Sequence, residues 1–368
     1  MQSKINRELD NYFAIIHDLA TEAEEWSSRP AWLEFSPNNL CNLRCIMCGQ
    51  ADGVPLEVMP KEEAVTLLDQ VLPHVSLWTP SALSEPMLSN IGLVAQKCRE
   101  HDVLLNMYSN ATVLNGERLR KIADRIHKLH ISFDCAEPEV FEMLRTPAKF
   151  DQVVQHIREI IPVAKELNVP LGFVAVLLRQ NLEHLPALVD FLADLGASEA
   201  AADLRVQPMS GDASGCAQSD VMAYYDQAEI CEWLDRAAAR AEARKVLFFV
   251  HMDEPFARAV TPVAPRVRGV AADVLSKMTE TIRERYPNFC YMASMHMKIK
   301  PDGDVYPCCV GPEELKMGNV KEQMVDEIWN GERYRAFRRR MFNRDYPDAC
   351  AGCNQLVANP EFQPVDRA

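Results

Sequence analysis

No stretch of this chain approaches the apolar length that a membrane-spanning helix needs. Its opening, MQSKINRELDNYFAIIHDLATEAEEW, lacks the charged-then-apolar order of a signal peptide. Positive charge is also short: 39 Lys and Arg stand against 53 Asp and Glu, a formal net charge of -14. That balance argues against nucleic acid held through its phosphates. No repeat of fixed period is visible. The expectation is a cytoplasmic globular protein with no membrane partner, long enough at 368 residues for a large domain with an appendage.

Cysteine, in contrast, is plentiful. There are twelve, and in a reducing compartment clustered thiols bind metal or act catalytically more often than they pair. Cys41, Cys45 and Cys48 share one short polar loop in "LEFSPNNLCNLRCIMCGQ". Cys290, Cys308, Cys309, Cys350 and Cys353 fall in the last quarter. Cys98, Cys135, Cys216 and Cys231 are scattered and read as small buried hydrophobes.

The middle of the chain alternates between apolar runs and helical periods. Strands are expected at 31–37, 74–80, 103–110, 128–134, 170–179, 203–209 and 246–252. Helices are expected at 60–72, 86–101, 115–125, 137–144, 150–167, 182–195 and 219–245. Near-continuous apolar strands between helices indicate parallel βαβ units with both sheet faces buried. The fold class is α/β, an open or partial barrel, and its site belongs at the C-terminal strand ends, where the first cysteine loop falls. The chain divides into a helical segment (1–30), a partial barrel (31–255), a Pro-rich connector (256–285), a small cysteine-rich domain (286–358) and a tail (359–368).

Cys41-x3-Cys45-x2-Cys48 has no nearby histidine to complete a tetrahedral zinc site. Three thiolates on a four-iron cube leave one iron open to a ligand. A zinc knuckle with a distant fourth ligand is the alternative. The loop resembles the radical SAM superfamily, whose C-x3-C-x-Φ-C motif carries a [4Fe–4S] cluster with S-adenosylmethionine chelated at the open iron. The Φ position, usually aromatic, is Met47 here. The resemblance implies a (β/α)6-type partial TIM barrel and reductive cleavage of the cofactor to a 5′-deoxyadenosyl radical. It also implies cofactor contacts. Glu85 in "PSALSEPML" stands where the family has its GGEP glutamate, with Leu83-Ser84 replacing the glycine pair. "SNATVLN" points to Asn110, "HISFDCAEPEVFEMLR" to Ser132 and Asp134, and "VLLRQNLEHL" to Arg179 and Asn181.

Four thiolates from a hairpin and a C-x-x-C enclose either zinc or a complete [4Fe–4S] cluster, and spacing alone does not choose. The region from Cys290 to Cys353, including "GNV…EIWN…YRAFR", resembles the SPASM/twitch extension of radical SAM enzymes. With no cysteine after Cys353 it looks like the twitch form. The resemblance then implies one auxiliary cluster held by Cys290, Cys308, Cys350 and Cys353. Cys309, on the opposite face of an extended segment, is left out. The basic run 333–340 reads as a solvated helix face.

A fully ligated auxiliary cluster suits electron transfer, and so a net oxidation. The leading expectation is dehydrogenation of a small molecule such as a sugar or aminocyclitol, with flavodoxin or ferredoxin as electron donor. Modification or epimerisation of a ribosomal peptide is the second reading, with Cys216, Cys231 or Cys309 as hydrogen donor. A zinc-stabilised binding protein is the third. No catalytic acid or base is identified. Arg205, His251 and Asp253, at or beyond late strand ends, are candidates for substrate contact or proton transfer.

Overall fold

The computed structural model describes residues 2–81, 83–209, 219–252, 255–261, 290, 292–309 and 311–350. Seven successive parallel strands arise where the apolar runs lie: β1 (Trp32–Phe35), β2 (Leu77–Thr79), β3 (Leu104–Ser109), β4 (Ile126–Ser132), β5 (Leu171–Leu177), β6 (Asp203–Pro208) and β7 (Leu247–Val250). The helices include α1 (Gln2–Ala20), α2 (Lys61–Val71), α3 (Ile91–His101), α4 (Gly116–Arg120), α5 (Pro138–Leu144), α6 (Phe150–Glu166), α7 (Leu185–Asp194) and α8 (Gln227–Arg244).

Local chemistry sets the helix starts. Asp226 caps α8, accepting from Glu229 N at 2.8 Å, while Glu229 accepts from Asp226 N at 2.9 Å. Asn90 and Asn115 cap α3 and α4 by accepting from Leu93 N and Arg118 N. α6 buries Val153, Val154, Ile157, Ile160, Ile161 and Ala164 at helical spacing, which fixes the side it turns to the sheet.

The two sheet faces differ in chemistry. Leu33, Phe35, Trp78, Met107, Leu129, Ile131, Phe173, Leu204, Val206 and Phe248 are buried on one. Phe133, just past β4, continues that face and meets Phe141 of α5, Phe150 of α6 and Phe191 of α7, so the helices cover it. The other face carries Glu34, Asn106, Tyr108, Lys128, His130, Asp203 and Arg205. The expectation of strands apolar on both faces therefore holds for β5 but not for β1, β3, β4 or β6. Their residues alternate, apolar toward the helices and polar toward the barrel interior.

Two edges complete an eleven-stranded sheet among the described residues. β8 (Arg258–Val260) pairs antiparallel with β7 inside the segment read as a connector. At the other edge β9 (His296–Ile299) lies parallel to β1, followed by antiparallel β10 (Asp304–Tyr306) and β11 (Gly318–Asn319). The cysteine-rich C-terminal region thus continues the barrel sheet.

The segment after α1 is fastened to the two helices after β11, α9 (Val325–Trp329) and α10 (Glu332–Phe342). Asn330 exchanges two 2.9 Å bonds with the backbone of Trp26, and Trp329 Nε1 donates to Ser28 O at 2.8 Å. Arg338 is buried between these parts, its guanidinium 4.2 Å from the Trp26 ring and 4.7 Å from that of Trp329. The basic run 333–340 is therefore not wholly a solvated face: Tyr334, Phe337 and Arg338 point inward.

Candidate functional site

The loop after β1 is held from both sides. Arg44 N donates to Thr146 O at 2.6 Å and Ile46 N to Leu144 O at 3.0 Å, binding the loop to the end of α5. Gln50 Nε2 reaches Asn39 O and Leu83 O at 2.6 and 2.7 Å. Cys41 and Cys48 are half-buried and Cys45 is buried. The three sulfurs do not all lie within 4.8 Å of one another, the closeness a single tetrahedral ion demands. Three thiols on one loop suit a four-iron cube that leaves one iron open. Burial pushes the Cys41 thiol up, and Cys45 to about 11, so each would surrender its proton on binding metal.

Glu85 is 2% exposed beside this loop, joined to it by Glu85 N donating to Leu40 O at 2.9 Å. Its carboxylate accepts from Asn110 N at 2.7 Å, Ser109 Oγ at 2.9 Å and Met87 N at 3.2 Å. Burial raises its pKa, and these bonds oppose the shift only in part. Asn110 Nδ2 donates to Asn42 Oδ1 at 3.1 Å and approaches Cys41 Sγ at 3.9 Å. Glu85 and Asn110, expected at neighbouring strand ends, thus meet at the cysteine loop.

The other expected cofactor contacts divide. Asp134 is fully buried, one oxygen paired with Arg145 and the other accepting from Val176 N at 2.8 Å. Arg145, 7% exposed, extends its far end to 3.9 Å from Cys45 Sγ. Asn181 is buried too, donating to Asp134 O at 3.0 Å and Val176 O at 2.8 Å while accepting from Leu178 N. Asp134 and Asn181 therefore position backbone and Arg145 in this structure. Ser132 is half-buried on the inner face of β4. Arg179 stacks 4.2 Å over the ring of Tyr224. Arg145 was missed at the sequence level; its signal was a charged residue before Pro147 at the end of an otherwise amphipathic run.

Below the loop the inner face forms a polar array. Asp203 is paired with Lys128 at 2.6 Å and with Arg205 at 2.5 Å. His130 stacks on Tyr108 with centroids 4.3 Å apart and meets Asn106 Oδ1 at 3.1 Å. Burial, with Lys128 and Arg205 nearby, lowers His130 to about 3; burial and Arg205 lower His251 to about 4. Both rings are neutral at pH 7. Toward β9, Glu34 pairs with Lys298 at 3.2 Å and lies 3.5 Å from His296. Burial pushes Glu34 up, but His296 and Lys298 outweigh it and hold the carboxylate below its usual range. Of the proton-transfer candidates, Arg205 and His251 belong to this array and Asp253 lies outside the described residues. The array's sequence signal was the alternation in "KLHIS", "DLRVQ" and "HMKIK".

In the C-terminal region Cys290 is buried and Cys308, Cys309 and Cys350 are half-buried, while Cys353 lies outside the described residues. Cys290 and Cys350 both act electrostatically on Tyr346, and Cys308 on Tyr334. Lys298 Nζ donates to Cys309 O at 2.5 Å, tying this segment to Glu34 of β1. Of the thiols considered as hydrogen donors, Cys231 Sγ faces Pro255 O at 3.7 Å and Cys216 lies outside the described residues.

Two parts of the chain match known domain families. Residues 35–192 match the radical SAM superfamily, and residues 290–354 match SPASM, an iron-sulfur cluster-binding domain. The dTDP-4-amino-4,6-dideoxy-D-glucose ammonia-lyase of Streptomyces venezuelae is 24% identical over 170 residues, 43% of this chain and 35% of that protein. The S-adenosyl-L-methionine-dependent 2-deoxy-scyllo-inosamine dehydrogenase of Niallia circulans is 29% identical over 77 residues, 20% of this chain and 31% of that one. The chain spans about a third of the length of these curated relatives. Among solved structures, Streptococcus suis SuiB bound to S-adenosylmethionine aligns with a TM-score of 0.61 at 17% identity, covering 93% of this chain and 74% of SuiB. That likeness is one of fold. The chain thus carries a radical SAM domain and a C-terminal SPASM domain, and with them the sites for S-adenosylmethionine, the [4Fe–4S] cluster that binds it, and auxiliary iron–sulfur.

Proposed function

We propose that this enzyme dehydrogenates a small, hydroxyl-rich molecule of the amino sugar or aminocyclitol class. The observation that carries the reading is the polar inner face of the barrel beneath the cysteine loop. Lys128, Asp203, Arg205, His130 and Asn106 line it with donors and acceptors suited to hydroxyl and amino groups. The two curated relatives, by name, act on an amino sugar and an aminocyclitol. When bound, S-adenosylmethionine and its cluster, held by Cys41, Cys45 and Cys48, supply hydrogen-atom abstraction, and the auxiliary cluster supplies an electron acceptor.

Oxidation of a secondary alcohol to a ketone removes two protons and two electrons. One hydrogen atom leaves from carbon, one proton leaves from the hydroxyl, and one electron remains for the acceptor. The proton needs a base at the inner face. His251 is neutral and its buried Nε2 has no hydrogen-bond partner among the described residues, so it fits that part. Asp203, held ionised by Lys128 and Arg205 against the effect of burial, orients the substrate and keeps its charge. Reduction by a flavodoxin or ferredoxin completes the cycle.

The test starts from anaerobically prepared protein with about eight irons per chain, the content of two four-iron cubes. Aminocyclitols and amino sugars are supplied with S-adenosylmethionine and reductant in deuterated water. A ketone product with 5′-deoxyadenosine supports the reading. Deuterium at an inverted carbon, or turnover of peptides alone, rejects it. Replacing Cys41, Cys45 and Cys48 by alanine should lower iron by about four per chain and abolish 5′-deoxyadenosine; zinc at full occupancy with no iron would reject the cofactor assignment for this loop.

A further inference from the structure

We propose that Lys128, His130 and Arg205, arranged around Asp203, form a seat for a phosphoryl group carried by the substrate. The inference rests on the inner face being the substrate chamber. It begins with Gly172, which lies between the strands that carry the seat: His130 pairs in register with Gly172, and Gly172 with Asp203. A Cβ at Gly172 would stand 2.6 Å from Asp203 Oδ1 and 3.2 Å from Lys128 Cε. The missing side chain lets the Lys128–Asp203 pair close across β5 from the strands on either side. Arg205 Nε then takes the second carboxylate oxygen. One buried aspartate thereby fixes two cations whose side chains remain 20% and 33% accessible.

Beside this fixed pair stands an imidazole with an unmet need. His130 Nδ1 is buried with no hydrogen-bond partner among the described residues. A buried polar atom left unsatisfied is costly, and a ligand that reaches it recovers that cost. Lys128 and Arg205 disfavour charge on the ring. A dianion placed beside it reverses the local field and makes the ring a hydrogen-bond donor. The groups flank Gly172 on β4 and β6, and Arg205 adds a planar fork suited to oxyanions. Three oxygens of a tetrahedral phosphoryl group match three donors, Lys128, His130 and Arg205; a planar carboxylate offers only two.

The probes are inorganic phosphate and pyrophosphate, titrated calorimetrically into the anaerobic holoenzyme, with acetate and myo-inositol at equal concentration as comparisons. Phosphate or pyrophosphate should bind, and Arg205→Gln and Lys128→Met should each weaken it at least tenfold with iron content and circular dichroism unchanged. His130→Asn should weaken it several-fold, which provides a milder variant if the others fold poorly. Pyrophosphate should also compete with substrate. Absence of phosphate and pyrophosphate binding, equal affinity in Arg205→Gln, or acetate binding as tightly as phosphate would overturn the seat. Dehydrogenation of an uncharged aminocyclitol without competition by pyrophosphate would reject the seat alone and leave the proposed reaction standing. Turnover of peptides alone would reject the reaction, while the calorimetry would still decide the seat.

Discussion

Gly172 shows how much one absent methyl group can hold in place. Ala at this position would press a Cβ into Asp203 Oδ1 and the Lys128 stem. Gly172→Ala should cost about 1–3 kcal/mol by overpacking, measured by denaturant unfolding, and should disturb the polar array more than the fold. Arg145 acts on the other side of the site. It is a buried cation whose guanidinium approaches Cys45 Sγ, and positive charge or hydrogen bonding at a cluster sulfur favours the reduced state. Arg145→Met should lower the midpoint potential of the cluster in the absence of S-adenosylmethionine, read by spectroscopically monitored redox titration. An unchanged midpoint would show that the guanidinium serves packing alone. The two neutral histidines set a pH dependence. Their folded pKa values lie below the unfolded value, so the stability they contribute is present above about pH 6.5 and falls as the unfolded chain takes up protons that the folded chain refuses. For His130 the slope is about 1.4 kcal/mol per pH unit well below 6.5. His130→Asn should flatten the fall in unfolding free energy between pH 6.5 and pH 5.

At the scale of elements, periodicity made most of the barrel legible. Each expected strand from β1 to β7 is present, most of them shorter and β4 shifted two residues toward the N-terminus, because apolar runs bounded by Pro, Asp and Gly leave few other ways to bury themselves. The cysteine loop, Glu85 and Asn110 were legible because they sit on spacings tied to strand ends. The partners of Asp134 and Asn181 were not legible, since a motif does not reveal that a carboxylate meets an arginine eleven residues on. The inner array was overlooked because "KLHIS" and "DLRVQ" were read as apolar runs instead of alternating ones. The strap from Trp26 to Arg29 was illegible for another reason: its partners lie some three hundred residues away. Arg338 is the centre of that junction, donating to Trp329 O at 2.8 Å and lying over two indoles. Arg338→Met keeps much of the volume but leaves the Trp329 and Glu24 carbonyls without this donor. It should destabilise by about 1–3 kcal/mol, and limited proteolysis should then cut first between α1 and β1.

Across the whole molecule, the barrel and the C-terminal region are one sheet. β1 has β2 on one side and β9 on the other, with four register pairs from Trp32–His296 to Phe35–Ile299. Glu34, Lys298 and the Cys309 carbonyl add a polar link along the same line. A chain ending near residue 285 would expose β1 as a bare edge and leave Glu34 without its cation. Such a truncation should aggregate, seen by light scattering, and should not give a trimmed barrel that retains iron at Cys41, Cys45 and Cys48. A soluble, iron-loaded truncation would show that the β9 seam is dispensable.

The same seam orders events during synthesis. β1 and its cysteine loop leave the ribosome early, but the strand that flanks β1 is made about 260 residues later. At about 5–20 residues per second, that is a delay on the order of ten to fifty seconds. Through that interval the nascent barrel lacks one wall, and it is the wall beside the loop that carries the thiols. Until then the thiol loop lies beside an open strand edge, which the last quarter of the chain covers.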